Sequence, residues 1–363
     1  MKSINQLIIT LTVCLFSIQA WAQSGKLFNT DNQLSSNLAT QVFQDKSGFI
    51  WIATRNGLNT YDGYHITVMK KDMSNFSGLK SNYINSIAQD DKGHILLGTN
   101  NSLLEFTGSE FHKIPMLDSK GEELATYVKQ VYPLKNKDVA VATSGYGIMI
   151  KKKDTQECHA MKGEVEKLKY IHKLLEDKRG RLWIITEDGK LYRKETNGRV
   201  TAHFVGTEGV DAQDIQQDVL GNLYLASKNQ GVHLLRAGSN VFTRISSIGN
   251  LPIENIYISR NNKLYIGCNG LGIYVYDPQT GFLQDNPLFS RLVNLAKSKV
   301  TSIIEDNQGN IWVSMLQKGV FMQSNIQNDF NYMGFRLGSR NVIGENCVTS
   351  LSINQGNQVW VGT

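Results

Sequence analysis

Apolar and polar residues alternate in short runs along most of the chain, and the runs recur. One stretch reads Val300-Thr301-Ser302-Ile303-Ile304-Glu305-Asp306, breaks at Asn307-Gln308-Gly309, and resumes as Ile311-Trp312-Val313-Ser314. Short runs bounded by Asp, Asn and Gly predict strands joined by tight turns. No apolar period of 3.6 residues is sustained anywhere, and there are only five prolines. The pattern predicts an all-β chain.

The runs fall into register on one column. It reads Trp51, Leu96, Ala140, Trp183, Tyr224, Tyr265, Trp312 and Trp360, at steps of 41 to 48 residues. Upstream of it lie paired apolar positions three residues apart, such as Ile84/Ile87, Val128/Val131, Ile171/Leu174, Val300/Ile303 and Val348/Leu351. Between the two comes an Asp-x-x-Gly turn: Asp45–Gly48, Asp90–Gly93, Asp177–Gly180, Asp218–Gly221 and Asp306–Gly309. The Asp side chain suits a turn because it can accept from amides just downstream, and Gly tolerates the positive φ that closes it. Lys137, Asn262 and Asn357 replace that Gly in three copies. Asn tolerates left-handed φ; Lys137 fits poorly, so the third copy is predicted to turn differently.

Two residues beyond the column the chain is small in seven copies, Ala53, Gly98, Ala142, Ala226, Gly267, Ser314 and Gly362, with Ile185 the exception. Small residues there allow close approach of neighbouring sheets. A Gly then opens a third run, as at Gly57-Leu58 and Gly319-Val320, and a short segment such as Phe111-His112-Lys113-Ile114 or Phe330-Asn331-Tyr332-Met333 completes the unit. Four short strands repeated every forty-odd residues is the pattern of propeller blades, which cover one another's faces by radial packing. Solenoid repeats are usually shorter and more uniform.

The expected organisation is a seven-bladed β-propeller over residues 23–335, with repeats near 38–63, 84–106, 128–150, 171–193, 212–235, 253–277 and 300–323. Lys26-Leu27-Phe28-Asn29 resembles the fourth-strand segments and is expected to supply the outer strand of the last blade. The eighth copy stops at Val359-Trp360-Val361-Gly362-Thr363, mid-blade, so residues 336–363 are expected to begin a second propeller in a longer protein. A single eight-bladed ring is the alternative.

The first 22 residues differ. Lys2, the apolar run Leu7–Phe16 and Ala20-Trp21-Ala22 form a secretory signal peptide with cleavage expected after Ala22. The apolar run is too short to span a membrane. Thr12 and Val13 do not make a lipoprotein box before Cys14. Cys158, Cys268 and Cys347 remain in the exported chain, an odd number at wide spacing, and are expected to be single thiols buried or half-buried in strands.

Charge adds little. The net charge is +6, spread along the chain, and the cluster Lys151-Lys152-Lys153 is short and followed by Asp154. It reads as a solvated strand end, and no nucleic-acid partner is expected. The Asp-x-x-Gly turns supply one carboxylate each, where calcium loops need several at alternate positions. The pairs Asp90-Asp91 and Glu122-Glu123 do not make the opposed carboxylates of a glycosidase, because neighbours in a strand point apart. The seven histidines are scattered, and no nucleophile elbow, phosphate loop or dinucleotide motif appears. No catalytic site, metal or cofactor is expected.

Recognition of a sugar needs aromatic faces and planar polar groups at the mouth of a ring. Register places Arg55, Asn56, Asn82, Tyr83, Asn100, Asn101, Tyr146, Lys228, Asn229 and Gln317 on the loops of one face. These are the candidate ligand-binding residues. Asp45, Gly48, Trp51, Gly57, Gly93, Gly180, Trp183, Gly221, Gly309, Trp312 and Trp360 are the structural markers of the repeat.

The first copy, Val42-Phe43-Gln44-Asp45-Lys46-Ser47-Gly48-Phe49-Ile50-Trp51-Ile52-Ala53-Thr54-Arg55-Asn56-Gly57-Leu58-Asn59-Thr60-Tyr61-Asp62-Gly63-Tyr64, resembles the two-component-regulator propeller repeat. Gln33-Leu34-Ser35-Ser36-Asn37 is similar to that family's lead-in segment and is echoed by Leu79-Lys80-Ser81-Asn82. The resemblance covers nearly all of the mature chain and is most specific in the first, fourth and seventh copies. It implies the periplasmic sensor part of a hybrid two-component protein of a glycan-degrading bacterium. Such proteins carry two propellers, a small β-sandwich, a membrane helix, a histidine kinase, a receiver and often a DNA-binding module. The implied partners are an oligosaccharide or similar small ligand, a second propeller and membrane-linked kinase region of the same chain, and a second copy in a homodimer. A secreted propeller lyase or glycosidase, or a non-catalytic scaffold, are the alternative functions.

Overall fold

The structure is a computed structural model, and it describes residues 23–71, 78–203, 209–285, 298–327, 347–354 and 358–362. Two compact units are present, Gly25–Asn325 and a second built from the terminal segments. The first is a seven-bladed β-propeller. Its blades are four-stranded antiparallel sheets, and the described residues contain no α-helix, only three short 3-10 turns.

The inner strands are Ala39–Gln44, Ile84–Gln89, Val128–Pro133, Ile171–Glu176, Ala212–Gln217, Ile253–Ile258 and Lys299–Glu305. Each pairs with the strand that carries the column residue. The third blade gains a fifth strand, Met116–Leu117, which runs parallel to Cys158–Ala160. The seventh blade takes its outer strand, Gln23–Phe28, from the start of the described chain. This closes the ring as the resemblance of Lys26–Asn29 to fourth strands suggested. Phe330–Met333 lies outside the described residues, as does the signal peptide.

The turn Asp does more than close a hairpin. In blade one Asp45 Oδ1 accepts from the amides of Ser47 (2.9 Å) and Phe49 (3.0 Å), while Oδ2 accepts from the Trp51 indole at 2.8 Å. Asp177 and Trp183 repeat the indole bond at 2.9 Å, and Asp306 and Trp312 at 2.7 Å. A buried carboxylate is thereby satisfied by its own blade. Burial pushes the Asp177 carboxyl up, but the Trp183 indole and the Arg181 amide and guanidinium outweigh it and hold it below its ordinary value.

The third blade corrects one expectation. Its turn has the same backbone pattern as the others. The Leu134 amide donates to Asp138 O (2.8 Å) and the Lys137 amide to Leu134 O (2.9 Å). Lys137 itself adopts φ 72°, as Asn262 adopts 60°. The neighbouring strands dictate the turn, and the lysine accepts left-handed strain to fit it. Asn357 lies outside the described residues.

The core sits between blades rather than within them. Trp51, Ala53 and Leu58 of blade one pack with Ile84, Ile87 and Leu97 of blade two. The small column partners are required by this contact: a Cβ on Gly98 would sit 2.5 Å from Val128 Cγ1, and one on Gly267 2.4 Å from Val300 Cγ1. At the closing seam Phe28 stacks on Trp312 (5.3 Å) and meets the Tyr61 ring edge-on (4.9 Å).

Blades are also latched by hydrogen bonds at their turns. The residue after the first turn position, which is Asp45, Leu134, Asp177 or Ser259, donates its amide to the last side chain of the next inner strand: Lys46 to Gln89 (2.9 Å), Lys135 to Glu176 (2.7 Å), Lys178 to Gln217 (2.7 Å) and Arg260 to Glu305 (2.7 Å). Asn307 to Gln44 (2.7 Å) carries the same latch across the closure, from blade seven to blade one. Blades three and six have Pro133 and Ile258 at the accepting position and receive no such bond.

Cys158 and Cys268 are buried, but Cys347 is exposed and precedes a strand, contrary to expectation, because little packs over its hairpin. That hairpin, Ser350–Ile353 with Val359–Gly362, belongs to the second unit. Its Leu351 and Trp360 are 68% and 66% exposed.

Candidate functional site

A bulge in every inner strand builds the axial channel. Pairing slips across one unpaired residue near the start of all seven, for example Ala39/Gln41, Ile84/Ser86 and Val300/Ser302. Strict alternation would turn only one of two successive side chains to the axis. The bulge adds a residue and re-aims its neighbours. Two consecutive polar positions therefore line the channel between buried apolar ones. They read Thr40-Gln41, Asn85-Ser86, Lys129-Gln130, His172-Lys173, Gln213-Asp214, Glu254-Asn255 and Thr301-Ser302, and all but the buried Asp214 border the cavity described below. This is the physical content of the apolar-x-x-apolar spacing.

Most of these polar groups tie blades together. Ile87 N–H donates to Gln41 Oε1 (2.8 Å), Val131 N–H to Ser86 Oγ (3.1 Å), Leu174 N–H to Gln130 Oε1 (2.6 Å) and Ile303 N–H to Asn255 Oδ1 (3.0 Å). Thr40 Oγ1 donates to Ile84 O (2.6 Å), and Thr301 Oγ1 to Ala39 O (2.9 Å) across the closure. Lys129 and His172, of blades three and four, make no such hydrogen bond among the described residues.

The channel encloses a cavity of about 380 Å³ toward the end where the inner strands begin. Its walls include Arg55, Tyr83, Tyr127, Lys129, His172, Lys173, Glu254 and Lys299. Three lysines pair with acids: Lys129 with Glu187 (3.3 Å), Lys173 with Asp214 (3.0 Å) and Lys299 with Glu254 (2.7 Å). Burial, with Lys173 and Lys129 beside it, lowers the His172 imidazole to about 4, so it is neutral at physiological pH. One wall carries rings and cations in series. The Arg55 guanidinium lies 5.3 Å from the Tyr83 ring centre, Tyr83 meets Tyr127 edge-on at 6.1 Å, and Lys129 Nζ lies 4.8 Å from the Tyr127 ring. The Tyr127 hydroxyl donates to Asn85 Oδ1 at 2.8 Å, and burial pushes its phenol up. Such a wall can stack on a sugar face and donate hydrogen bonds to its oxygens.

Of the loop residues singled out by register, Arg55 and Tyr83 line this cavity and the others do not. The Asn56 amide donates to Thr54 Oγ1 (3.0 Å). Asn82 accepts from the Gly57 amide (2.8 Å) through its carbonyl and from the Lys71 amide (2.6 Å) through its side chain. Asn100 accepts from Ser81 Oγ (2.8 Å), and Asn101 from Thr99 Oγ1 (3.1 Å). Tyr146 is exposed, Lys228 pairs with Asp211 (3.3 Å), the Asn229 amide reaches Ser227 Oγ (3.4 Å), and Gln317 takes a left-handed turn at φ 75°. Tyr127, Lys129, His172 and Lys173 went unread. The available signal was a non-alternating polar pair in each inner strand.

A second cluster sits away from the axis. Asp90, His94 and Glu105 bring their ligand atoms within 4.8 Å of one another. Its cause lies in the column, where Leu96 replaces Trp and leaves Asp90 Oδ2 without an indole. His94 Nδ1 approaches that oxygen at 3.5 Å and bonds Glu105 at 3.2 Å. The histidines are thus not wholly scattered, because the third strand of the blade carries Glu105 back beside the turn.

Comparison with known proteins places these features. Residues 33–56, 78–101 and 294–317 match the family model described as a two component regulator propeller. The chain carries repeats of that type in blades one, two and seven. The second copy matches where the fourth was expected. Blade two keeps the lead-in Leu79-Lys80-Ser81-Asn82 and Gly98-Thr99, whereas blade four keeps Trp183 but has Ile185-Thr186 after it. A search of curated proteins gives no match.

Among solved structures, the extracellular domain of a hybrid two-component system from B. thetaiotaomicron superposes with a TM-score of 0.72 at 22% identity, covering 94% of this chain and 47% of that one. A second such domain from the same organism gives 0.70 at 16%, covering 94% and 47%. Virginiamycin B lyase from Staphylococcus aureus gives 0.64 at 13%, covering 84% and 100%. The chain spans about half the length of these two extracellular domains.

Proposed function

We propose that this chain is the extracytoplasmic sensing part of a hybrid two-component signalling protein. In this reading it binds an oligosaccharide at the channel mouth and controls a histidine kinase and glycan-utilisation genes. The observation that carries it is the coincidence of regulator-type repeats with a polar channel whose rings and cations converge on one mouth. The similar extracellular domains of two-component systems support it. No helix among the described residues is long and apolar enough to cross a membrane. In the same reading residues 1–22 act as the export signal and residues 336–363 begin a second propeller.

The test is calorimetric titration of the purified chain with a panel of oligosaccharides. Saturable heat with one of them, and no turnover of it, is the expected result. Absence of heat with every member favours the scaffold. Cleavage of a glycan favours an enzyme, a class that the lyase neighbour shows this fold can host.

A further inference from the structure

We propose that the channel mouth selects sugars bearing an acidic group, with the Arg55 guanidinium as the anchor for a carboxylate or sulfate. This presupposes the ligand-binding role proposed above and narrows it. Four cations line the cavity, Arg55, Lys129, Lys173 and Lys299, against one lining carboxylate, Glu254. Each lysine is held by an acid within 3.3 Å, so its charge is largely spent inside the protein. Arg55 is different. It is exposed, it leaves the turn after Thr54 at the edge of the mouth, and among the described residues it has no carboxylate partner.

Its guanidinium lies over the Tyr83 ring, 5.3 Å from the ring centre. A guanidinium held over a ring keeps N–H donors available, and among the described residues no carboxylate takes them. Those donors match a carboxylate or sulfate in bidentate fashion, a geometry that no lysine reproduces. The stack is itself braced, because Tyr83 packs edge-on against Tyr127 and the Tyr127 hydroxyl is anchored on Asn85. Lys129 lies over the far ring of the pair at 4.8 Å. Glu187 balances Lys129 at that end of the wall, which leaves Arg55 as the cation without a carboxylate among the described residues. A neutral sugar can accept hydrogen bonds from the guanidinium through its hydroxyls, but only an anion adds the stronger, charge-assisted bidentate pair.

The test is calorimetry of the purified chain with tetragalacturonate, a chondroitin sulfate tetrasaccharide, the neutral maltotetraose and cellotetraose, and inorganic sulfate alone. One acidic tetrasaccharide is expected to bind at 1:1 and to weaken as salt rises. Arg55→Ala is expected to weaken it tenfold or more, and Arg55→Lys to restore only part, with unchanged melting temperatures for both variants. Neutral sugars binding equally well to wild type and Arg55→Ala would overturn the acidic selection and leave the sensing role standing. Sulfate alone binding as tightly as the tetrasaccharides would reduce the site to an anion hole and overturn the sugar assignment. No binding by any sugar would sink both.

Discussion

The bond between turn Asp and column Trp can be isolated by a double-mutant cycle in blade seven. Asp306 is 4% exposed and accepts four hydrogen bonds. Gln308 and Asn310 amides donate to Oδ1 at 2.9 Å each, and Asn310 Nδ2 (2.8 Å) and Trp312 Nε1 (2.7 Å) donate to Oδ2. Trp312 is 2% exposed, so its indole N–H has no access to water if the acceptor goes. A hydrogen bond to a charged group contributes about 1.5–3 kcal/mol, and a buried donor left alone costs about 1–3 kcal/mol. Asp306→Ala is therefore expected to cost about 3–5 kcal/mol, at the top of the range for single substitutions. Trp312→Phe keeps most of the ring and removes the donor, at about 2–3 kcal/mol. Because both variants lose the same bond, the double variant should fall short of the sum by about 1.5–3 kcal/mol. Urea unfolding followed by far-ultraviolet circular dichroism measures all four corners, with constant m as the check on two-state behaviour. A coupling below about 0.5 kcal/mol would refute the reasoning and reduce the Asp to a turn former.

Three further outcomes are expected. Lys137→Gly relieves left-handed strain at φ 72° and should stabilise the chain by about 1 kcal/mol, read as a raised urea midpoint, whereas destabilisation would show that the Lys137–Asp91 pair (3.7 Å) matters more. Gly98→Ala places a methyl 2.5 Å from Val128 Cγ1 and should cost about 1–3 kcal/mol in the same assay; a neutral result would mean the blades slide freely. Burial lowers His172 and His203 to about 4, with Lys173 beside the first and Arg193 beside the second. The unfolded chain takes up those protons nearer the ordinary 6.5, so stability is full above that value and falls as pH drops toward 4. Replacing both by Gln should flatten that slope, and an unchanged slope would assign it elsewhere.

The repeat was legible because its cues are local. An Asp and a Gly three apart, an aromatic inside the next strand and a small residue two beyond are each fixed by contacts within one blade or with the next sheet. Lys137 misled because its own chemistry argued against a turn that its neighbours impose. The latch was visible as Gln44, Gln89, Glu176, Gln217 and Glu305 before five of the seven turns, yet its partners are backbone amides of another blade, and amides leave no mark in a sequence. The site was half legible for a related reason. Loop register found Arg55 and Tyr83, but Asn82 and Asn100 proved to be committed to neighbouring chain segments. Lys129 and His172 stand on inner strands, where simple alternation gives no cue that two successive residues face the axis. The only trace there is a polar pair between two apolar positions, and the bulge that explains it appears once the strands are paired.

Hydrogen–deuterium exchange of the purified chain, with and without the oligosaccharide that binds most tightly, tests the central claim most directly. The channel mouth should gain protection in peptides spanning 38–56, 79–86 and 124–131, while the Asp-x-x-Gly turns on the opposite face stay unchanged. Protection confined to those turns, or no change at the mouth under saturating ligand, would contradict the assignment of the channel as the sensing site.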